Sequence, residues 1–288
     1  MAGMRDIKRK ISSVKNTQKI TNAMKMVSAA KLRKAQESME SALPYAEKIY
    51  EVVTDISKRV NPEIHKFLQP KEEVNTIGVV LITSDRGLCG AFNSNVSKRF
   101  TSLKREFPDK EFKFFCVGKK GYEFARRQGY DILEKYISFS GKITYNDAID
   151  IGNNAAKMFN EDKIDELYII YNEFKSVAYQ VAQAKKILPL DIGEPEEQDN
   201  ESVIDYLYEP NANALVREII PRFINFTIYS CLLESIAGEH GSRMAAMDNA
   251  TRNAGEMIKK LTLNYNKARQ AAITTEILDI VNGAEALK

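Results

Sequence analysis

The chain has 288 residues, of which 44% are hydrophobic and 28% are charged, and its formal net charge is +3. This composition is typical of a globular protein and excludes an intrinsically disordered chain. No apolar run approaches the roughly eighteen residues of a membrane-spanning helix. Three cysteines without CxxC spacing and only two histidines argue against a disulfide framework or a metal site.

The first predicted element is a long helix from Met4 to the high fifties, which Asn61-Pro62 ends. Pro44 interrupts the pattern, so a kink or a local break is expected there. One face of this helix carries an apolar stripe of somewhat irregular spacing. The stripe consists of Ile7, Ile11, Val14, Thr21, Met24, Ser28, Leu32, Ala35, Met39 and Ala42.

The middle of the chain, residues 74–209, alternates between strand and helix patterns. The predicted strands are residues 77–83, 113–117, 132–137, 166–172 and 178–187, and the predicted helices are residues 91–106, 119–127 and 147–160. Residues 77–83 form a continuous apolar run, which is typical of a strand buried on both faces. The alternation predicts a Rossmann-like α/β domain with a mostly parallel sheet.

Helical patterning resumes after Pro210 and continues to about Val281, so the predicted domains are residues 1–60, 74–209 and 211–288. Pro221 is expected to kink the last helix or to mark its true start. Its inward-facing series has steps of four and three residues, the 3.5-residue repeat of a coiled-coil seam. The series is Met247, Thr251, Ala254, Ile258, Leu261, Tyr265, Ala268 and Ala272. Such a seam needs a partner helix, and the N-terminal helix is the obvious one. The predicted fold is therefore a long antiparallel two-helix coiled coil that projects from the α/β domain.

Charge is strongly segregated along the sequence. Residues 1–36 contain ten Lys or Arg against the single acid Asp6, whereas residues 191–209 contain eight acids and no base. The basic segment is interpreted as a solvated face, as a helix that faces an acidic or polar sleeve, or as a nucleic-acid arm. Nucleic acid is the least favoured, because no aromatic residues accompany the basic ones for base stacking.

The loop SDRGLCG after the first strand has the setting of a phosphate loop. It lacks the GxxxxGK[ST] and GxGxxG spacings, and Gly87 and Gly90 more simply permit a tight turn. Cys89 is interpreted as a small buried residue and His240 as a packed or capping residue, while Asp85 and Arg86 are a candidate surface pair. These residues do not assemble a nucleophile, a base and an oxyanion site, so the chain is not expected to be catalytic.

Three segments carry long, specific motifs. They are MRDIKRKISSVKNTQKITNAMKMVSAAKLRKAQ, SDRGLCGAFNSN and RMAAMDNATRNAGEMIKKLTLNYNKARQAAITTEILDIVNGAEAL. With YLYEP at residues 206–210, they resemble the gamma subunit of F-type ATP synthases over essentially the whole chain. The resemblance implies a central-stalk rotor that turns inside three alpha and three beta subunits. It couples proton flow through the membrane c ring to ATP synthesis or hydrolysis at the beta subunits.

The resemblance also implies residue roles. Met24 and Lys25 of NAMKMV match positions that contact the lower part of the beta subunit. Arg269, Gln270, Thr274 and Glu276 match positions that meet the catch loops of beta. Tyr206, Tyr208 and Glu209 match the foot that meets the c ring and the epsilon subunit.

Further implications concern cofactors, location and regulation. No cofactor and no nucleotide are expected on this chain, because in that family nucleotides bind the partner subunits. No regulatory cysteine insertion of the chloroplast type is seen, and a missing presequence favours a bacterial complex, peripheral on the cytoplasmic side of the plasma membrane. Two alternatives stay open: a stand-alone coiled-coil scaffold, and a nucleotide-using α/β enzyme.

Overall fold

The computed structural model describes residues 2–59, 65–138, 143–177, 179–190 and 212–285. The helices are α1 (Ala2–Arg59), α2 (Phe92–Glu106), α3 (Lys119–Arg127), α4 (Tyr145–Asn160) and α5 (Ala212–Glu285), with a short 3-10 helix at Lys66–Leu68. The strands are β1 (Thr76–Ile82), β2 (Glu111–Val117), β3 (Asp131–Tyr136), β4 (Glu166–Phe174) and β5 (Gln180–Leu188).

Two compact units divide the chain. The first is formed by the first 29 residues and the residues from Arg243 onwards, and is called the two-helix unit; the second, Ala30–Ser242, is called the α/β unit. Helices α1 and α5 contribute to both units. The division into residues 1–60, 74–209 and 211–288 stays a prediction.

The α/β unit is built on a five-stranded sheet of order β3-β2-β1-β4-β5. Strand β1 pairs in parallel with β2 and with β4, and β2 pairs in parallel with β3. Strand β5 is antiparallel to β4. This order is that of a Rossmann-like sheet with an antiparallel edge strand, so the predicted fold class is confirmed.

Alternate side chains of the central strand point into two cores. Val79 and Leu81 pack with α2 and α3 residues such as Phe100 and Ala125. Val80 and Ile82 pack on the opposite face with residues from α4 and α5. Because β1 is covered on both faces, its continuous apolar run is the pattern that burial requires, as the sequence predicted.

Local signals account for the element boundaries. Helix α4 begins at Tyr145, two residues before the predicted start, because the Asp147 carboxylate accepts hydrogen bonds from the backbone N–H of Thr144 at 2.7 Å and from its hydroxyl at 2.8 Å. Strand β4 extends to Phe174 because β5 pairs with it along that whole length. The other predicted strands and helices of residues 74–209 are present, with ends shifted by at most two residues, and α5 ends at Glu285, four residues beyond the predicted end.

Both internal prolines lie inside uninterrupted helices. Helix α1 continues through Pro44, and α5 begins nine residues before Pro221, so neither proline breaks its helix or marks its start. A proline in a helix interior costs about 3 kcal/mol. Buried neighbours offset this cost: Ile49 and Val53 follow Pro44, and Phe223 and Phe226 follow Pro221, and these four side chains share one cluster.

The two-helix unit buries the predicted seam. Between residues 256 and 281, the half-buried side chains are Ile258, Leu261, Tyr265, Ala268 and Ala272, all from the predicted series. On α1, the stripe positions from Ile7 to Ser28 are likewise buried or half-buried. Gln18 shares that face, which explains the irregular spacing: a polar side chain occupies the position between Val14 and Thr21.

Candidate functional site

The carboxyl end of β1 is the place where a Rossmann-like sheet usually binds a ligand. Here the hydroxyl of Thr83 donates to the Val117 carbonyl at 3.0 Å and accepts from the backbone N–H of Gly121 at 2.7 Å. The Asp85 carboxylate accepts from the N–H of Lys119 at 2.9 Å, and the Ser84 carbonyl accepts from the N–H of Lys120 at 3.1 Å. The first three N–H groups of α3 therefore bind the chain's own loop.

The rest of the SDRGLCG loop is organised by Asn93 of α2. Its side-chain oxygen accepts from the Ser84 backbone N–H at 3.0 Å, and its nitrogen donates to the Ser84 hydroxyl at 2.8 Å. Cys89 is 2% exposed, so its interpretation as a small buried residue is confirmed. The residues of this turn with positive φ are Leu88 (φ 63°) and Gly90 (φ 57°), and Gly87 is not one of them.

His240, Gly238 and Gly241 of α5 lie in the packed part of the α/β unit. His240 is 5% exposed, as expected of a packed residue. An added side chain on Gly238 would meet Phe92 and Gln180 in van der Waals contact, so α5 passes close to α2 and β5 there. This packing offsets the low helix propensity of glycine.

A cleft of about 260 Å³ lies between α1, the sheet and α5 in the α/β unit. Tyr50 and Phe223 line it together with Cys231 and Glu234. Burial raises the pKa of the Glu234 carboxyl, and it raises the pKa of the Cys231 thiol to about 12. The sequence analysis did not predict this cleft because its walls come from three separate parts of the chain, in α1, in the sheet and in α5.

Met24 and Lys25 lie half-buried on α1, at one level of the two-helix unit. The Lys25 ammonium donates to an Asp248 carboxylate oxygen at 2.6 Å, across the seam. This hydrogen bond lowers the pKa of Asp248, and the guanidinium of Arg252, 3.3 Å from the other carboxylate oxygen, adds to the effect. The motif therefore places Lys25 in a contact within the chain.

Two further polar contacts lie next to that ion pair. The hydroxyls of Thr21 and Thr251 are 2.7 Å apart, and the Gln18 amide donates to the Thr251 carbonyl at 3.4 Å. As residue numbers rise on α1 they fall on α5, so the helices are antiparallel, as predicted. The sequence analysis did not predict Gln18 and Asp248, because it treated the seam as an apolar stripe. For Gln18 a signal was present in the sequence, namely the seven-residue gap between Val14 and Thr21.

Arg269, Gln270, Thr274 and Glu276 lie exposed on α5. The Thr274 hydroxyl donates to the Gln270 carbonyl at 3.0 Å, one turn earlier on the same helix. Arg269 is 21 residues beyond Asp248, about 30 Å along the helix at 1.5 Å per residue. The structure therefore places the predicted contact residues at two separate levels. Tyr206, Tyr208 and Glu209 lie outside the described residues.

Large apolar side chains are exposed on this unit, away from the seam. Ile20, Met26 and Val27 of α1 are 57–60% exposed. On α5, Met257, Leu263, Ile273, Ile277, Leu278, Ile280 and Val281 are 47–72% exposed. Where exposed apolar side chains form a contiguous patch, they mark a surface that contacts other molecules.

Within the ranges that the structure describes, no three His, Cys, Asp or Glu side chains are grouped so that they could hold a metal ion. Among the described helices, none is both long and apolar enough to span a membrane.

Comparison with known proteins gives a consistent result. The family model described as ATP synthase matches residues 3–287. The ATP synthase gamma chain of Halothermothrix orenii is 45% identical over 290 residues, and that of Bdellovibrio bacteriovorus is 44% identical over 297 residues; each alignment covers 100% of both chains. This chain belongs to the ATP synthase gamma chain family.

Chains in solved ATP synthase structures share the fold. A chain in the Euglena gracilis mitochondrial ATP synthase, in a structure that contains F1 and the c ring, superposes with a TM-score of 0.71 at 20% identity, over 99% of this chain and 95% of that one. A central-stalk chain of the Tetrahymena thermophila mitochondrial enzyme gives a TM-score of 0.59 at 24% identity, over 80% of this chain and 99% of that one.

Proposed function

We propose that this gamma-family chain is the rotor of an F-type ATP synthase, whose two-helix unit turns inside a hexamer of three alpha and three beta subunits. Its rotation would couple proton flow through a membrane c ring to ATP synthesis, or to hydrolysis in the reverse direction. The observation that carries the proposal is the array of exposed apolar side chains on the two-helix unit of a family member. A surrounding sleeve of subunits would cover them.

The construction of the two-helix unit suits a shaft. Its seam includes the small side chains Ser28, Ala254, Ala268 and Ala272, which allow two helices to approach closely at those positions. Exposed polar and charged contacts contribute little individually, so a rotor can make and break them during each turn.

Contacts with the beta subunits are proposed at two levels. Met24 and Lys25 form the first level, and Arg269, Gln270, Thr274 and Glu276 form the second. The second set supports the proposal best, since all four side chains are exposed. Lys25 is 40% exposed in spite of its pairing with Asp248, so its ammonium is accessible from one side.

The chain itself is proposed to carry no active site. In a Rossmann-like enzyme the start of a helix at the carboxyl end of the sheet holds phosphate. In this chain the N–H groups of Lys119, Lys120 and Gly121 are occupied by the loop that precedes α2. We therefore assign nucleotide binding to the partner alpha and beta subunits.

Tyr206, Tyr208 and Glu209 are proposed as the foot that meets the c ring and the epsilon subunit. Through these partners the chain would be a peripheral component at the cytoplasmic side of a bacterial plasma membrane. Its relatives at 42–45% identity come from bacteria, which supports that location.

The proposal is tested by reconstitution. The purified chain is mixed with alpha and beta subunits of a bacterial relative, and assembly and ATPase activity are measured. One copy per hexamer with stimulated ATPase supports the rotor. Absence of assembly supports a stand-alone scaffold, and saturable nucleotide turnover by the chain alone supports an enzyme.

A pair of variants tests the second contact level. Arg269→Ala and Gln270→Ala, alone and together, should lower proton-driven ATP synthesis partially, because each removes an exposed contact and leaves α5 intact. Lys98→Ala, an exposed position on α2, is the matched control. A double variant with an unchanged synthesis rate would exclude this role for the two residues.

A further inference from the structure

The cleft between α1, the sheet and α5 combines aromatic walls with an acidic side chain. Ile49 and Tyr50 of α1 line it together with Phe223 and Phe226 of α5, and the ring centroids of Tyr50 and Phe223 are 6.2 Å apart. Glu234 of α5 lines the same cleft. We propose that the cleft is a binding site for a small organic ammonium compound, whose charged group pairs with the Glu234 carboxylate and whose aromatic or alkyl group packs against the apolar walls.

The Glu234 carboxylate has one oxygen that is available to a ligand. Its Oε2 accepts a hydrogen bond from the backbone N–H of Phe174 at 3.4 Å. Within the part of the chain that the structure describes, its Oε1 accepts no hydrogen bond, and no ammonium or guanidinium group forms an ion pair with it. The side chain is half-buried. A ligand ammonium group would supply a charge-assisted hydrogen bond in place of the solvation that burial removes.

The charges around Glu234 favour a cation in the cleft. Burial raises the pKa of Glu234 and the Glu173 carboxylate adds to this effect, whereas the ammonium groups of Lys185 and Lys175 oppose it without outweighing burial. Lys185 also lines the cleft, but its side chain is exposed. With Glu47, the lining carries two acidic residues against this one basic residue. A lining of this sign attracts cations and repels anions.

The size of the cleft limits the ligand to about one ring with a short arm. Its volume is about 260 Å³. An apolar cavity of roughly 150 Å³ holds a benzene molecule, so a phenyl group with a two-carbon ammonium arm fits here. The aromatic walls suit the same ligand, because an ammonium group is attracted to the face of an aromatic ring. A nucleotide is too large, and its phosphate groups would meet acidic side chains.

Binding at this site would have a consequence for the folded chain. The ligand would contact α1, the sheet and α5 at once, and a ligand that binds only the folded state stabilises it. The proposal concerns the α/β unit and does not depend on the proposed rotor function.

Binding is measured by NMR titration of the full-length chain with 2-phenylethylamine, in a phosphate buffer free of other amines. 2-Phenylethanol, which carries a hydroxyl in place of the ammonium group, is the matched neutral ligand. The amine should bind saturably with a dissociation constant of about 1 mM or below, as ordinary ligand efficiency allows for so few atoms. It should bind about tenfold more tightly than the alcohol, the scale of one charge-assisted hydrogen bond. The methyl resonance of Ile49, identified by its absence in Ile49→Val, should shift with both ligands.

Three variants separate the parts of the site. Glu234→Gln keeps an oxygen for the Phe174 N–H and removes the charge, so it should weaken binding of the amine by about tenfold and change binding of the alcohol by less than about twofold. Tyr50→Ala removes an aromatic wall at a side chain that is 60% exposed, so it should weaken binding of both ligands. Glu256→Gln, at an exposed position of α5 outside the cleft, is the control and should change neither. Circular dichroism checks that each variant is folded.

Three results would overturn the proposal. Equal affinities of the wild type for the amine and the alcohol would show that the cleft has no preference for a cation. Unchanged affinity of folded Glu234→Gln for the amine would exclude this carboxylate as the partner. Binding that does not saturate, or that leaves the Ile49 methyl resonance in place, would assign the amine to the general protein surface. Because no alpha or beta subunit is present, failure of the rotor proposal leaves this test intact.

Discussion

Gly118 has a backbone conformation that other residues rarely adopt. Its φ is 91°, its N–H donates to the Tyr136 carbonyl at 2.8 Å, and an added Cβ would overlap the Thr83 carbonyl. It lies between β2 and α3, where the chain must turn sharply beneath the β1 loop. Glycine is therefore required here both for φ and for space.

We expect Gly118→Ala to lower the free energy of unfolding by about 2–4 kcal/mol, because strain and overlap act together. Chemical denaturation followed by circular dichroism measures this. Gly87→Ala is the matched control, since an added Cβ there meets nothing within 4 Å. Equal effects of the two substitutions would refute the explanation.

Asp165 connects the start of the sheet to the loop before β4. Its carboxylate accepts from the backbone N–H groups of Asn75 and Thr76, both at 2.8 Å, and lies 2.7 Å from the Lys71 ammonium. Burial by itself would raise the pKa of Asp165, but Lys71 and the two N–H groups outweigh it and the pKa is lowered. Hydrogen bonds from Lys66 and Lys71 lower the pKa of neighbouring Asp162 to about 2.

These lowered pKa values predict an acid-sensitive contribution to stability. A carboxyl whose pKa is lower in the folded state stabilises it above its unfolded pKa of about 4, and this stabilisation is lost as the pH falls through the folded value. Asp165→Asn should reduce the free energy of unfolding at pH 7 by about 1.5–3 kcal/mol, as expected for hydrogen bonds to a charged group.

Thermal denaturation between pH 7 and pH 2 provides the measurement. The difference between the wild type and Asp165→Asn should shrink at the acid end, where Asp165 is itself protonated. Asp109→Asn, at an exposed turn position, is the control. A difference that stays constant with pH would contradict the assignment.

At the scale of elements, the seam shows how periodicity predicts burial. The steps of four and three along α5 identify the partly buried positions from Ile258 to Ala272 correctly. The reason is geometric, since a 3.5-residue repeat keeps one line of side chains against a partner helix. Gln18 and Asp248 were not predicted, because a polar side chain at an interface is indistinguishable in sequence from a solvated one until its partner is known.

Close approach of the helices depends on small seam residues. Ala254 is 8% exposed, so Ala254→Leu should force the helices apart and lower the free energy of unfolding of the two-helix unit by about 1–3 kcal/mol. Ala271→Leu adds the same atoms at an exposed position of α5 and should change stability by less than about 0.5 kcal/mol. Urea unfolding followed by circular dichroism measures the free energy of unfolding of each variant. Equal effects of Ala254→Leu and Ala271→Leu would argue against a close-packed seam.

At the scale of the whole molecule, the two units differ in how much they bury. Among the described residues of the two-helix unit, the buried side chains are Thr21, Ser28, Arg243, Met247 and Ala254. The α/β unit contains fully buried residues such as Phe100, Phe114 and Phe159, in cores on both faces of the sheet. Local stability follows buried apolar contacts, so the two units should open with different free energies.

Hydrogen exchange of the isolated chain tests this difference. Backbone amides in residues 256–281 of α5 should exchange faster than those of β1, because that part of the helix is held only by its line of half-buried side chains. Protection of residues 256–281 equal to that of β1 would contradict the expectation. Assembly with alpha and beta subunits, if the proposed function holds, should slow exchange in residues 256–281 and leave β1 unchanged.

The sequence by itself determined the fold class, the order of the elements and the seam positions, because each depends on a local period or on a continuous apolar run. Tertiary structure decided what depends on distant segments meeting. It paired Lys25 with Asp248, directed Asp85 to α3, formed the cleft around Glu234 and held α1 and α5 helical through Pro44 and Pro221. In each case the deciding energy comes from residues far away in sequence, which a local pattern does not contain.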